Sequence, residues 1–387
     1  MERYSVSFEE SAARIDDALW EACFPPPLEG RWWYEALERS GLEDQFTFGY
    51  GLIRCEGTPV GIAPIFAMDF PLALVAPPGL QGAIKALGRI LPSLVRPRTL
   101  FVGSPCADEG TVGFLAGTGL AAALPALQTA LSAKAREMNA VLLVWKDFAQ
   151  PQSAILASPA AGNPLFRVTS FPGSVAVLPP GGKDAYFAAM KGSRRHQLRK
   201  KLARSAARAD LDIEILQSPD DAVLDELFVL FWQTYEKATT RFERLNRRFF
   251  GHLAALPVTQ FIVLREKATR RAVAFMLCFA LGPRIINKFI GIDYTRPKEW
   301  LLYFRLWDAA VDFALARGAS SIQSGQTGYA PKIETGHWLV PLTNFCAHRN
   351  RLIDGLLRVI ARRIDWATLD DDLERHLKAH PAAQTKS

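Results

Sequence analysis

The sequence predicts an α/β (α+β) protein made of two similar domains in tandem, each a mixed, mostly antiparallel sheet with flanking helices. Three observations carry that expectation. The chain has 387 residues and is 49% hydrophobic, too long for one ordinary core and apolar enough for two. One order of patterns (strand, strand, strand, turn, helix, strand) occurs twice. Between the two occurrences Gln150–Asn163, QPQSAILASPAAGN, is rich in Ser, Ala and Pro and reads as linker.

In the first half, Glu9–Trp20 and Arg31–Ser40 read as helices upstream of a hairpin formed by Phe46–Arg54 and Pro59–Ala67, whose turn is CEGT. After an apolar insertion come the strand Thr99–Gly103, the turn SPCADEGT, a long helix from about Gly119 to Met138 and the strand Ala140–Trp145. The second half opens with the strand Ser174–Leu178 and helices over Asp184–Ala209 and Asp220–Lys237. Its hairpin is Gln260–Arg265 with Ala272–Leu281, turning at EKATR. The strand Arg284–Ile290, the turn GIDYTRPKE, a helix from Trp300 to about Arg317 and the strand Ser320–Gln323 complete the repeat. The expected boundaries are a first domain over 1–150, a linker region over 151–173, a second domain over 174–348, and a C-terminal amphipathic helix with a tail, HPAAQTKS, over 349–387.

The net charge of +7 is concentrated. Lys191–Arg208, KGSRRHQLRKKLARSAAR, holds eight Lys or Arg and no acid, so this segment alone exceeds the charge of the whole chain. Such a run points to an anionic partner, a phosphate-bearing ligand or a nucleic acid, against the alternative of a solvated helix face. It lacks the interleaved aromatics of a base-stacking surface. Cys23, Cys55, Cys106, Cys278 and Cys346 are widely separated and form no CxxC pair, which suggests neither a zinc site nor a disulfide framework and favours reduced, structural thiols. His337 and His348 have no Cys or Asp at metal or triad spacing and read as structural. No Walker loop, GxSxG or HExxH occurs. The first thirty residues lack an apolar signal region, so a cytoplasmic location is expected. No window reaches the roughly 20 apolar residues of a membrane span.

The run Tyr186–Arg204, YFAAMKGSRRHQLRKKLAR, the turn and helix Gly291–Tyr303 and Trp307–Gly318, and the block Ser324–His348, SGQTGYAPKIETGHWLVPLTNFCAH, together resemble the FemAB-like double-GNAT proteins. The resemblance covers about residues 175–350, and the first half only by its pattern. It implies two GNAT-like domains, with the acyl-transfer site mainly in the second, over about 180–348. It further implies an acyltransferase of the N-acyltransferase, GNAT type: acyl-CoA as co-substrate, no permanently bound cofactor, and an amine acceptor. In the peptidoglycan-bridge branch of the family the donor is instead an aminoacyl-tRNA. One departure matters: the Q/R-x-x-G-x-G/A turn whose amides hold the coenzyme's pyrophosphate is absent, and Asp293–Trp300, DYTRPKEW, stands in its place.

Acyl transfer to an amine needs a base for the amine proton and a donor for the oxyanion. Glu236 and Glu243 belong to the segment WQTYEKATTRFERLNRRFF, which in the resembling family approaches the acceptor. Glu236 is the first base candidate and Asp293 the second, against their readings as a helix-surface acid and a turn-capping Asp. Tyr235 and Arg241 in the same region are substrate-binding candidates. Arg194, Arg195, Arg199 and Lys200 are the anion-contact candidates, Arg suiting planar phosphate recognition. Gln326, Tyr329 and Lys332 lie between glycines on a loop after a strand. Tyr329 is the candidate donor to a thiolate or oxyanion, and Lys332 the candidate ligand of a carboxylate or phosphate.

Two basic amphipathic segments bear on the acceptor. Phe70–Arg98 is apolar, broken by Pro and Gly, and carries Lys85, Arg89, Arg96 and Arg98 without an acid. Arg349–Ile364 carries five Arg against one Asp, with Leu352, Ile353, Leu356, Leu357, Ile360 and Ile364 on one helical face. Either packs on the core or lies on an anionic membrane surface, which would make the chain peripheral on the inner membrane. In the second case the acceptor is a long-chain lipid amine, by analogy with the bacterial ceramide synthases of sphingolipid biosynthesis. The competing readings are an aminoacyl-tRNA-dependent transferase acting on a cell-wall precursor and a non-catalytic double-GNAT protein that binds an acyl or nucleotide ligand.

Overall fold

The computed structural model describes residues 3–74, 79, 82, 84, 86, 88–91, 95–158, 165–238, 241 and 243–380. The apolar segment Phe70–Arg98 therefore lies partly outside the described residues, as does the linker from 159, and the tail from 381 lies wholly outside them.

The first part of the chain forms β1 (Tyr4–Glu9), β2 (Thr47–Cys55), β3 (Thr58–Asp69), β4 (Arg98–Val102), β5 (Gly113–Phe114), β6 (Leu142–Phe148) and β7 (Phe166–Thr169). The second forms β8 (Gly173–Val177), β9 (Leu211–Leu216), β10 (Thr259–Glu266), β11 (Ala272–Leu281), β12 (Arg284–Ile292), β13 (Ser321–Ser324) and β14 (Trp338–Val340), and the last strand is β15 (Thr343–His348). One sheet runs β1-β2-β3-β4-β6-β15-β7 with β5 beside β3, and the other β14-β8-β13-β12-β11-β10-β9.

Both expected hairpins form and occupy equivalent places, β2 with β3 and β10 with β11. Each path contains a parallel pair, β4 with β6 and β12 with β13, joined by a long helix, Leu120–Glu137 in one case and Leu302–Ala316 in the other. These helices cover one face of each sheet. Leu124, Leu127 and Leu131 close the first core against Leu100, Val102 and Trp145, while Leu306, Ala310 and Phe313 close the second with Ile262, Leu264 and Val273. The double-GNAT order read from the sequence is the order observed.

The edge strands β1 and β9 were not anticipated, although both alternate as half-buried strands do: YSVSFE and LDIEIL. The segment Glu9–Trp20, expected as one helix, is a 3-10 turn, Ala12–Arg14, followed by the helix Asp17–Cys23. The break falls at Asp16, whose carboxylate caps the second element.

The compact units are Met1–Pro172 with Val340–Ser387, and Gly173–Leu339, so the boundary differs from the one expected at 348. The cause is β15. It pairs with β6 and β7 in the first sheet, and Phe345 is buried in the first core. The second sheet fills the corresponding place with β8, antiparallel to β13. The stretch 151–173 likewise contributes the helix Gln152–Ala157 and β7 to the first unit.

Candidate active site

Strand β12 extends past its parallel neighbour. The two pair from Arg284 with Ser321 to Asn287 with Ser324, after which β13 ends and β12 continues to Ile292. Along those five residues, about 16 Å of strand, the β13 side of β12 has no strand partner among the described residues, while the other side stays paired with β11. The helix Asp221–Lys237 packs on this overhang. A Cβ on Gly291 would meet the Leu230 carbonyl carbon at 2.7 Å and the Phe231 nitrogen at 2.6 Å, so the close approach requires glycine. Thr234 fixes the crossing by accepting the Ile292 amide at 3.0 Å.

On the other side of the parting, the chain leaves β13 through a tight loop. Thr327 and Gly328 both have positive φ, and the short helix Tyr329–Glu334 follows. A buried polar network holds this loop. His337 Nδ1 lies 2.9 Å from the Lys332 carbonyl, which can only accept, so Nδ1 carries the proton and Nε2 accepts from the Ser324 hydroxyl at 3.1 Å. Asn287 Nδ2 donates to Ser324 Oγ at 3.3 Å, and the Cys278 thiol donates to Asn287 Oδ1 at 3.1 Å. Burial, reinforced by the Lys332 charge, pushes the His337 pKa down to about 3, and the imidazole is therefore neutral. Burial also raises the Cys278 thiol far above its ordinary value, which removes it as a nucleophile. Lys332 Nζ donates to the carbonyls of Gly325 at 2.7 Å and Gln326 at 3.3 Å. The Tyr186 hydroxyl donates to the Thr335 carbonyl and accepts from Trp307 Nε1 at 2.9 Å.

A third part closes the region. Asp293 ends β12 and organises its turn, accepting from the Thr295 amide at 2.9 Å, the Thr295 hydroxyl at 2.6 Å and Arg296 Nε at 3.0 Å. Partial burial works to raise its pKa, but these donors outweigh it and hold the carboxylate below its usual range. The amides of Arg296, Trp300 and Leu301 are also bonded within the turn. The helix Leu302–Ala316 then starts from Leu301 in the left-handed conformation. In its first turn Arg305 Nη1 is buried with no hydrogen-bond partner among the described residues. Alongside lies the basic helix, Gly192–Arg208. Its Ser205 hydroxyl donates to the Trp300 carbonyl, while Lys201 pairs with Glu334 and stands 4.3 Å from the Phe304 ring centre.

The residues singled out in the sequence thus fall into three groups. Gln326 lies on the loop after β13, whereas Tyr329 and Lys332, expected on that loop, belong to the short helix that follows it; Tyr329 is fully buried and Lys332 is bound to main-chain carbonyls. Glu236, Tyr235 and Arg241 lie where the helix Asp221–Lys237 ends beside the tip of β12. Glu236 is exposed and accepts from Trp232 Nε1 at 3.0 Å, Tyr235 stacks with Trp232, and Arg241 stands over the Tyr235 ring. Asp293 sits at the same tip, occupied by its own turn. On the basic helix, Arg199 has a loose contact with Asp184 at 3.6 Å and Arg195 donates to the Ala188 carbonyl, while Arg194 and Lys200 form no ion pair with a described residue. Sequence reasoning left out Arg305, which carried no motif, and treated His337 only as structural without its tie to Ser324 across twelve intervening residues.

No metal-binding group of His, Cys, Asp or Glu occurs among the described residues, and all five cysteines are free thiols.

Comparison with known proteins follows this geometry. Residues 181–364 match the FemAB-like family model, described as peptidoglycan biosynthesis/recognition. No protein with a curated description matches the chain. Among solved structures, FemX superposes with a TM-score of 0.58 at 11% identity, covering 91% of this chain and 100% of FemX. A tandem GNAT protein from the clavulanic acid biosynthesis pathway reaches 0.48 at 10% identity, with 90% and 99% coverage. L-PGS from Bacillus licheniformis reaches 0.48 at 12% identity, with 69% and 82% coverage. The likeness to FemX spans both sheets, so this chain has the fold of FemX, and its residues 181–364, which include the overhang of β12, are similar to the FemAB-like family.

Proposed function

We propose that the chain is an N-acyltransferase that moves an acyl group from a phosphate-bearing carrier to an amine, with acyl-CoA as the donor and the chemistry at the parting of β12 and β13. The observation that carries this reading is Arg305. A buried guanidinium nitrogen left without an acceptor costs free energy, and this one lies in the first turn of a helix, where backbone dipoles also favour an anion. The basic helix beside it adds Arg194 and Lys200, which form no ion pair with a described residue. In this reading a donor phosphate binds Arg305 near the start of the helix that follows β12, and the family resemblance gives the reaction class.

In this reading the neutral amine attacks the acyl carbonyl carbon, a C–N bond forms, and the carbonyl oxygen becomes an oxyanion. The proton lost from nitrogen goes to Glu236, directly or through water, and collapse of the adduct breaks the bond to the carrier, whose leaving thiolate takes up that same proton from Glu236 by way of water. Lys332 and Tyr329 act by holding the loop after β13, which sets the width of the parting. Glu236 is favoured over Asp293 as base because Asp293 already accepts three hydrogen bonds.

A second reading, an aminoacyl-tRNA donor and a cell-wall precursor as acceptor, is favoured by the length of the basic face. The helix Gly192–Arg208 spans about 25 Å, more than a pyrophosphate requires, and the turn Asp293–Trp300 spends the amides of Thr295, Arg296 and Trp300 internally. The test is transfer by the purified chain from labelled palmitoyl-CoA and, separately, from labelled aminoacyl-tRNA, to a long-chain amine and to a lipid-linked muramyl peptide, with products identified by mass spectrometry. Amide product from palmitoyl-CoA supports the first reading, and product only from aminoacyl-tRNA replaces it with the second. Retention of either donor with no product leaves a binding protein.

A further inference from the structure

The helix Arg351–Ala361 leaves its apolar face uncovered. It packs on β7 and β15 through Ala361, Leu357 and Arg358, the last lying 5.2 Å from the Phe166 ring centre. The opposite face carries Leu352, 85% exposed, Leu356 at 60% and Val359 at 51%. At 100° per residue these three fall within about 60° of one another. The sequence reading offered a choice between a helix buried on its core and one lying on lipid; the exposed trio excludes the first for this face.

Charge decides what suits the face. Arg351 and Arg362 fall about 60–80° to one side of the trio, and both are exposed with no acid partner among the described residues, as is Arg363. The single acid of the helix, Asp354, is occupied by the His348 amide at 2.8 Å and by Arg358 at 2.6 Å. An uncovered leucine stripe bordered by unpaired guanidinium groups matches the acyl and headgroup layers of an anionic bilayer, in which apolar side chains enter and arginines extend to the phosphates. A repeat copy of the same basic face would bring like charges together.

We propose that the helix Arg351–Ala361 is a peripheral docking surface for an anionic lipid bilayer. This stands apart from the acyl-transfer reading, because it rests on the first unit and uses none of the residues around β12. The experiment is co-sedimentation of the full chain with vesicles of phosphatidylcholine alone and of phosphatidylcholine with phosphatidylglycerol, alongside sedimentation velocity without lipid. Two variants accompany it: L352S/L356S/V359S, and R351Q/R362Q/R363Q, which alters only exposed charges and keeps the test open if the first fails to fold. The expected result is binding to the anionic vesicles only, weakened at least about tenfold in either variant and by raising salt from about 0.05 to about 0.5 M. Absence of binding to both vesicles, or equal binding by a folded variant and the native chain, overturns the proposal. A native dimer that becomes monomeric in the leucine variant also overturns it, assigning the face to self-association.

Discussion

The two units have the same strand order and differ at one corresponding place. In the second, β12 outruns β13 by five residues; no strand among the described residues pairs with that edge, and Thr234 accepts its Ile292 amide. In the first, β4 stops level with its pairing and β6 runs on to Phe148, but the gap beside it is filled by the chain itself. Gly110 bridges to Phe148 and donates to the Asp147 carbonyl at 2.9 Å. The fit is tight enough that a Cβ on Gly110 would meet the Lys146 carbonyl oxygen at 2.0 Å. One topology thus yields one junction plugged by the Gly110 segment and one with no strand in the gap among the described residues. The second unit also has the basic helix and the unpartnered Nη1 of Arg305, which is why the proposed transfer site is assigned to that unit.

The sharpest way to break this comparison is Arg305. Arg305→Met removes a buried, unsatisfied nitrogen, so folding should be unchanged or slightly improved, whereas donor affinity and transfer rate should fall about a hundredfold, roughly 2.7 kcal/mol. Thermal melts and donor titrations read the two effects separately; equal loss of stability and activity would make Arg305 a structural residue.

The plug is tested by Gly110→Ala. Forcing a methyl group against the Lys146 carbonyl should destabilise the protein by about 1–3 kcal/mol, measured by denaturant titration, with kcat/KM at permissive temperature unchanged. A comparable fall in kcat/KM would show that the first unit takes part in the reaction. Reversing Arg194, Arg195 and Arg199 to Glu should weaken donor binding about tenfold at low salt and less at high salt, with stability altered by less than about 0.5 kcal/mol. Unchanged donor binding across a salt series would return this helix to a solvated face.

His337 supplies a pH signature specific to the second unit. Its folded pKa is depressed to about 3 from an ordinary value of 6.5, so the unfolded chain binds the proton more readily. The stability contributed by the neutral ring is complete above about pH 6.5 and is lost as pH falls toward 3, at up to about 1.4 kcal/mol per pH unit. Replacing His337 with Gln should remove that increment from the pH dependence of unfolding, while an identical slope in both proteins would contradict the buried neutral ring.

Much of the fold was legible because hairpins and long helices are local. Ala272–Leu281 is a continuous apolar run beside a charged turn, and Leu302–Ala316 repeats apolar residues at helical spacing. The destination of β15 was not legible: TNFCAH reads as a strand in either sheet, and only the fit of Phe345 into the first core selects one. The site was half legible for the same reason. The glycines and Lys332 mark a loop after a strand, but the Ser324–His337 contact and the orphaned Nη1 of Arg305 depend on side chains brought together by tertiary packing. Glycines 291 and 110 show the limit well, since the residue type is visible and the backbone pressed against it is not.

The claim that the open junction of the second unit receives the donor is tested most directly by hydrogen–deuterium exchange of the full chain with saturating palmitoyl-CoA and, separately, with aminoacyl-tRNA. The account predicts slower exchange with one donor over residues 288–305 and 325–337, and no change over the corresponding residues 98–112 and 142–148 of the first unit. Protection of the first-unit segments instead, or protection of neither junction by either donor, would contradict it.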